Sequence, residues 1–284
     1  MRRALLSLVA SSAVVLATAP LLAQTGPPRP SPAATVSQVF GVTRLEIAYS
    51  RPAVKGREIW GSLVPYDKVW RTGANEATTF SVSDDVKVEG KPLPAGKYAL
   101  FTIPRKDRWT LIFNKVNDQW GAFKYDEAQD ALRVDVKPVQ SGMQERMEFL
   151  VDELDDTSAD VVLRWENVAV PFTVTVDTAK AALAKAEKEL AGQPSAGALT
   201  SWARWMQEHD AAPEQALGWA QRAAKADDKA YFAFAVEARL LAKTGKRAEA
   251  RAAAQHALDL AKGMEKVEGV PADAEKLRAE MAKW

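Results

Sequence analysis

The chain has 284 residues, of which 47% are hydrophobic, so it can form two domains with their own cores and is not typical of a disordered protein. With 38 basic and 37 acidic side chains, its formal net charge of +1 gives no electrostatic reason to bind nucleic acid or an anionic membrane. The absence of cysteine excludes disulfides, a lipidated N-terminal cysteine and thiolate chemistry.

The first residues have the pattern of a secretory signal. Arg2 and Arg3 precede an apolar run over residues 4–17, and the small residue Ala23 offers a cleavage point. A transmembrane helix needs about 20 apolar residues, and this run is shorter. We therefore expect residues 1–23 to be a signal peptide and the mature protein to be periplasmic or secreted, without stable insertion into the membrane.

A proline-rich stretch separates the signal from the folded part. Residues 24–34 contain several prolines and are expected to form an extended linker. From residue 35 to about 177, apolar and polar residues alternate, as in half-buried strands. Leu45, Ile47 and Tyr49, for example, are expected to face one way while their neighbours face the other.

Hairpin turns join these strands. Residues 86–89 and 97–103 flank a connection rich in glycine and proline, and residues 109–114 follow after a short polar turn. Many short antiparallel strands imply two packed sheets, because one sheet alone would leave an apolar face in water. The predicted fold is an all-β antiparallel sandwich domain at residues 35–177.

After this domain the composition changes to alanine, lysine and glutamate, which indicates helices over residues 178–284. Within this region Trp202 and Val236, or Ala216 and Ala250, are equivalent at an offset of 34 residues. That period is typical of tetratricopeptide helix pairs. The sequence therefore predicts a small all-α helical-repeat domain.

Two roles are open for this helical tail. Stacked helix pairs present concave surfaces to peptides or partner domains. Two repeats are, however, fewer than the roughly three needed for independent stability, so the tail is alternatively a segment that docks on the sandwich. Trp202, Trp205 and Trp219 suit such docking, and Thr178 is expected to cap the first helix.

The β region also resembles a known family. The segments SQVFGVTRLEIAYSRPAVKGREIWGS, YDKVWRTGANE, NKVNDQWGAFKY and ALRVDVKP are similar to the secreted bacterial domain-of-unknown-function family 2911 (DUF2911). The similarity runs from about Ser37 to Val176, and residues 66–76 are its most specific part. The resemblance implies a β fold and no particular activity.

The candidate ligand site is the long connection over residues 51–76. Loops of this length tend either to be functional or to cover the end of a sheet. In the functional interpretation aromatic faces stack on a ring or sugar while polar groups fix its substituents. In the structural interpretation two tryptophans plug the sandwich and Arg71 pairs with Glu76. The candidate residues, with two from an opposite wall, are Arg51, Trp60, Trp70, Arg71, Asn75, Glu76, Trp120 and Tyr125.

Catalytic chemistry has few residues to use in the β domain. The only histidines, His209 and His256, lie in the tail, so the usual ligands for zinc, copper and non-haem iron are missing from the β domain, as is the base of a Ser-His hydrolase. No phosphate-binding glycine loop is present. We predict no catalytic residue, no metal and no cofactor, and we leave enzymatic activity uncertain but disfavoured.

The sequence thus favours an exported, non-catalytic binding or interaction protein. Its tail would take a protein or peptide partner, and the loop at residues 51–76 a small molecule or glycan. The alternative is a carbohydrate-recognition module or a hydrolase that uses carboxylates of the same loop, which are Glu58, Asp67 and Glu76.

Overall fold

The computed structural model describes residues 27–284, so the predicted signal peptide and the first residues of the predicted linker lie outside the described part. Within it, ten strands are followed by six helices. The strands are β1 (Ala33–Phe40), β2 (Thr43–Ser50), β3 (Thr79–Val82), β4 (Val86–Val88), β5 (Lys91–Leu93), β6 (Gly96–Ile103), β7 (Trp109–Asn114), β8 (Asp130–Val136), β9 (Val139–Asp155) and β10 (Ser158–Val176). The helices are α1 (Thr178–Glu189), α2 (Ala196–Glu208), α3 (Pro213–Ala226), α4 (Tyr231–Lys243), α5 (Arg247–Ala261) and α6 (Val270–Met281).

The strands form two sheets, and every strand pair is antiparallel. One sheet has the order β1-β2-β3-β6-β7-β8 and the other β5-β4-β10-β9. The core lies between them, and Leu45, Ile47 and Tyr49 point into it as the alternation predicts. The predicted class, an antiparallel sandwich followed by a helical domain, is confirmed.

Strands β6 and β7 are covered on both faces. Leu100 and Phe113 face the sandwich core, whereas Phe101 and Ile112 belong to a smaller apolar cluster on the outer side of the six-stranded sheet. Chain segments from two long loops cover this cluster, and the Tyr125 ring lies edge-on to Phe101 at 5.3 Å. The six-stranded sheet therefore has an outer layer as well as an inner core.

One strand departs from the predicted hairpin. The connection between β4 and β6 contains β5, which pairs with β4 through Val86 and Leu93. Its central residue is Pro92, which the sequence pattern assigned to a turn. Because β5 is the edge strand of its sheet, a residue without an N–H is tolerated there.

Helix α1 is held directly against the sandwich. Its N-cap is Asp177, whose carboxylate accepts the Lys180 N–H at 3.0 Å, so the prediction that Thr178 caps the helix is wrong. The Thr178 hydroxyl instead donates to the Asp156 carbonyl in the β9–β10 turn. Gly41 has φ +54°, and a Cβ there would lie 2.4 Å from the same carbonyl oxygen.

A second set of contacts fixes the same helix. The Lys185 ammonium donates to the Val42 carbonyl and lies 3.0 Å from an Asp84 carboxylate oxygen. His209, at the end of α2, lies 3.8 Å from the Asp156 carboxylate. The first helices of the tail therefore dock on the sandwich through hydrogen bonds and charge pairs.

The remaining helices stack in sequence, with α2 against α3 and α4 against α5. The tryptophans proposed for docking have other partners: Trp219 is buried in the helical core, and Trp202 donates to Glu189 of α1 at 2.9 Å. Trp205 stacks on His209 with ring centroids 4.0 Å apart. The tetratricopeptide-like character of the tail stays a prediction.

None of the helices within residues 27–284 combines the length and the apolar character that crossing a membrane requires.

Candidate functional site

The loop between β2 and β3 pairs with β6 beyond the end of β3. The Trp70 N–H donates to the Thr102 carbonyl at 2.8 Å, and the Thr102 N–H donates back to Trp70 at 2.9 Å. Since side chains alternate along an extended chain, Trp70 faces the core and Arg71 the outer side. The predicted site residues are therefore divided between two faces of one sheet.

Trp60 and Trp70 belong to a cluster of four tryptophans at one end of the sandwich. The Trp60 ring lies 4.9 Å from Trp109 and 5.7 Å from Trp165, and Trp70 stacks on Trp165 at 5.9 Å. Trp109 is 2% exposed and Trp165 1%. The two loop tryptophans are half-buried and complete this cluster from the loop side.

Hydrogen bonding in the cluster is incomplete. The Trp70 indole donates to the Gly73 carbonyl at 3.1 Å. The indole nitrogens of Trp60 and Trp165 are buried and have no partner among residues 27–284. Aromatic packing, rather than polar contacts, therefore holds this end of the sandwich.

Glu76 and Trp120 meet on the outer side of the same sheet. They form an isolated antiparallel bridge, in which the Ala77 N–H donates to Gln119 and the Gly121 N–H to Asn75, both at 3.0 Å. Beside this bridge lies a cavity of about 550 Å³, which we call the trough. Its lining residues are Ala33, Ala34, Thr35, Ala48, Tyr49, Ser50, Glu76, Ala77, Thr79, Lys97, Asn117, Asp118, Gln119 and Trp120.

The trough combines a floor of small side chains with an aromatic and polar wall. Trp120 is 57% exposed, which is unusual for so large an apolar group. Gln119 is 6% exposed and donates to the Val116 carbonyl, but its Oε1 is buried without a partner in the described part of the chain. A buried acceptor without a donor costs free energy unless a ligand or water completes it.

Glu76 is paired with an arginine from the segment before β1. Arg29 Nη1 lies 2.8 Å and 3.0 Å from the two Glu76 carboxylate oxygens. This hydrogen bond, followed by one from the Glu76 backbone, lowers the pKa of the Glu76 carboxyl. Asn75 binds the same segment, because its amide donates to the Ser31 carbonyl at 3.1 Å. The described part of the predicted linker is thus attached to the loop.

The pairing of Arg71 with Glu76, which the structural interpretation required, is not present. The Arg71 side chain is half-buried and forms no hydrogen bond or ion pair with any residue between positions 27 and 284. Burial lowers the pKa of its guanidinium. The outward position opposite Phe101 leaves Arg71 on the side of the sheet that carries the trough.

Arg51 and Tyr125 have internal partners. Arg51 donates to the Met147 carbonyl at 2.9 Å and pairs with Glu148 at 3.3 Å, which ties the loop to β9. The Tyr125 hydroxyl donates to Asp130 at 2.7 Å, and burial together with this bond raises its pKa to about 12. Neither polar group lines the trough.

Sequence reasoning missed Gln119, Lys97 and Asp118. Gln119 lies in the turn that supplied Trp120, yet a glutamine in a polar turn gives no sign of being buried. Lys97 and Asp118 reach the trough only because β6 and the loop after β7 are adjacent in space. A tertiary contact, not a motif, brings them together.

Metal binding finds no support in the described residues. No group of three or more His, Cys, Asp or Glu side chains is arranged to hold an ion within residues 27–284. Two aspartates on either side of the β9–β10 turn already have hydrogen-bond partners. Asp155 accepts hydrogen bonds from Thr157 and Ser158, and Asp160 accepts one from Thr173.

Fold and site together define a β-sandwich protein with a docked helical tail and an open trough on the outer face of its larger sheet. Residues 31–174 match the model of the family described as "Protein of unknown function (DUF2911)", and the chain belongs to that family. The family resemblance of the β region is thereby confirmed, whereas secretion stays a prediction. No curated protein matches the chain.

Proposed function

We propose that the protein is an exported, non-catalytic binding protein that holds a hydroxyl-rich, sugar-like ligand in the trough. The export part of this proposal rests on the signal-like N-terminus. The binding part rests on one observation, which is the exposed Trp120 beside the buried Gln119 whose Oε1 lacks a donor.

The residues that line the trough favour a ligand that donates hydrogen bonds from hydroxyl groups. An exposed indole face gives a sugar ring an apolar surface to lie on. Gln119 Oε1 and the ionised Glu76 both accept hydrogen bonds and do not donate them. Alanine and threonine at the floor leave space for a flat ring, and the cavity lies in the size range of small-ligand sites.

The same groups argue against hydrolysis. A general acid at a glycosidic bond needs a raised pKa, whereas the pKa of Glu76 is lowered. Asp67, a second loop carboxylate, pairs with Arg105 at 2.6 Å and is not among the residues that line the trough. These features support recognition rather than turnover.

The test is binding of the full mature chain to a panel of immobilised glycans. We expect Trp120→Ala to weaken binding about tenfold or more, since stacking on an aromatic face is worth about 1–3 kcal/mol. Phe123→Ala is the matched control, because Phe123 is 86% exposed and lies outside the trough lining.

Two results would contradict the proposal. Equal losses in the two variants would mean that exposed aromatic surface in general, not the trough, carries the binding. Turnover of a bound glycan that Glu76→Gln abolishes would show that the protein is a hydrolase.

A second candidate function is protein interaction through the tail. A groove of about 330 Å³ is lined by four cationic side chains and by Glu280. Two of the cations are already paired with acidic side chains, so Arg247 and Lys283 are the ones available to an acidic segment of a partner. The four cationic side chains are Arg239, Lys243, Arg247 and Lys283. Binding of an acidic peptide that Lys283→Glu abolishes and Lys262→Glu preserves would support this function, and equal binding by both variants would oppose it.

A further inference from the structure

A second cavity lies at the end of the sandwich, away from the trough. It has a volume of about 370 Å³ and is bordered by the loop at residues 60–66, the β6–β7 turn, the start of β9 and a bulge in β10. We call it the end pocket. It shares no lining residue with the trough, so its properties are independent of the proposed function.

The aromatic wall of the end pocket is rigid. Trp60 and Trp109 line it, and their rings lie 4.9 Å apart at an interplanar angle of 69°. Trp165 packs against Trp60 and Trp70 against Trp109, which is 2% exposed. A wall that is already packed loses little conformational entropy when a ring binds against it.

One positively charged side chain beside this wall, that of Lys106, has no partner among the described residues. Arg105 lines the pocket, but it is engaged by Asp67 at 2.6 Å and by the Thr110 hydroxyl at 3.2 Å. Lys106 is exposed and forms no hydrogen bond or ion pair with any other residue of the described range. Lys106 is therefore the cation that remains available for a ligand.

The only carboxylate among the residues that line the pocket already accepts two hydrogen bonds from its neighbour in the chain. Glu166 has φ +55°, which is rare for a residue other than glycine, and the strand register shifts on both sides of it. Its two oxygens accept hydrogen bonds from the Asn167 N–H at 2.8 Å and the Asn167 amide at 3.1 Å. Strained backbone and bulges of this kind concentrate at binding sites.

We propose that the end pocket binds a small organic anion that carries one planar aromatic ring. The ring lies against the half-buried Trp60, which packs on the buried Trp109, and the anionic group accepts a hydrogen bond from the Lys106 ammonium. The volume is sufficient for one ring with a carboxylate.

The experiment uses benzoate as the probe, with benzamide as its neutral analogue and acetate as an anion without a ring. Titration calorimetry gives the affinities, and the indole N–H signals of ¹⁵N-tryptophan-labelled protein locate the probe. We expect benzoate to shift the Trp60 and Trp109 signals and to bind about tenfold more tightly than either analogue. Its affinity should fall with added salt.

The matched variants are Lys106→Ala and Lys115→Ala, because these exposed lysines lie beyond opposite ends of β7. Lys106→Ala is expected to weaken benzoate about tenfold and leave benzamide unchanged, while Lys115→Ala changes neither. Neither substitution removes a buried group, so both proteins are expected to fold.

Four outcomes would overturn the assignment: equal affinities for benzoate and benzamide, equal effects of the two lysine variants, shifts confined to the Trp120 signal, or no binding at about 10 mM probe. A failure of glycan binding in the trough has no bearing on these outcomes, since Trp120→Ala leaves the end pocket intact.

Discussion

The two faces of the six-stranded sheet carry the same kinds of side chain in opposite circumstances. On the inner side, between the two sheets, four tryptophans pack against one another, and two of them are almost completely buried. On the outer face Trp120 and Phe123 are 57% and 86% exposed. Aromatic content alone therefore does not identify a binding loop. Whether other chain segments cover a ring decides between core and surface, since Phe101 on the outer face is also buried.

The most direct test of this comparison is to remove one aromatic ring from each face. Trp109→Ala should lower the free energy of unfolding by about 3–5 kcal/mol, because it leaves a large cavity in a packed core. Trp120→Ala should change it by less than about 0.5 kcal/mol, since this ring is mostly solvated. Urea unfolding followed by circular dichroism measures both. Similar losses would show that the outer ring is also part of a core.

A smaller effect is expected for the one outer aromatic side chain that is anchored. The pKa of Tyr125 is raised to about 12, first by burial and then by its hydrogen bond to Asp130. The folded state therefore holds this proton more tightly than the unfolded state. The stabilisation is complete below about pH 10 and is lost as the pH rises towards 12.

Tyr125→Phe should accordingly cost about 1 kcal/mol at pH 8, and the gap to the parent protein should narrow above pH 10. Urea midpoints measured at several pH values follow this change. Tyr66→Phe is the control, since the Tyr66 hydroxyl has no hydrogen bond with the residues that the structure describes. A gap that is constant with pH would mean that the phenol contributes by packing alone.

The smallest effect on stability, and the one most specific to the outer face, concerns Arg29. Its pair with Glu76 is exposed, so Arg29→Ala should change the free energy of unfolding by less than about 0.5 kcal/mol. The same substitution frees the carboxylate and should strengthen glycan binding in the trough up to about fivefold.

Arg44→Ala is the matched control for this variant, because Arg44 forms a comparably exposed pair with Glu46 and does not line the trough. Weaker binding in Arg29→Ala alone would mean that Arg29 contributes to ligand recognition instead of competing for Glu76.

The sequence was sufficient for most strands, because alternation such as that of Leu45, Ile47 and Tyr49 is imposed by burying one face. It failed at β5, where Pro92 resembled a turn residue although an edge strand tolerates it. The sequence also could not show that the candidate site residues are divided between two faces of the sheet. That division depends on the pairing of Trp70 with Thr102 and of Glu76 with Arg29, which are contacts between residues far apart in the chain.

The long hairpin of β9 and β10 has a mechanical consequence. Its turn holds Thr178 and approaches His209 of the helical tail, while its bulge at Glu166 borders the end pocket. At about 3.3 Å per residue these two points are roughly 30 Å apart along one antiparallel ladder, which resists sliding of one strand past the other. A partner bound to the tail and a molecule bound at the bulge would therefore act on opposite ends of the same pair of strands.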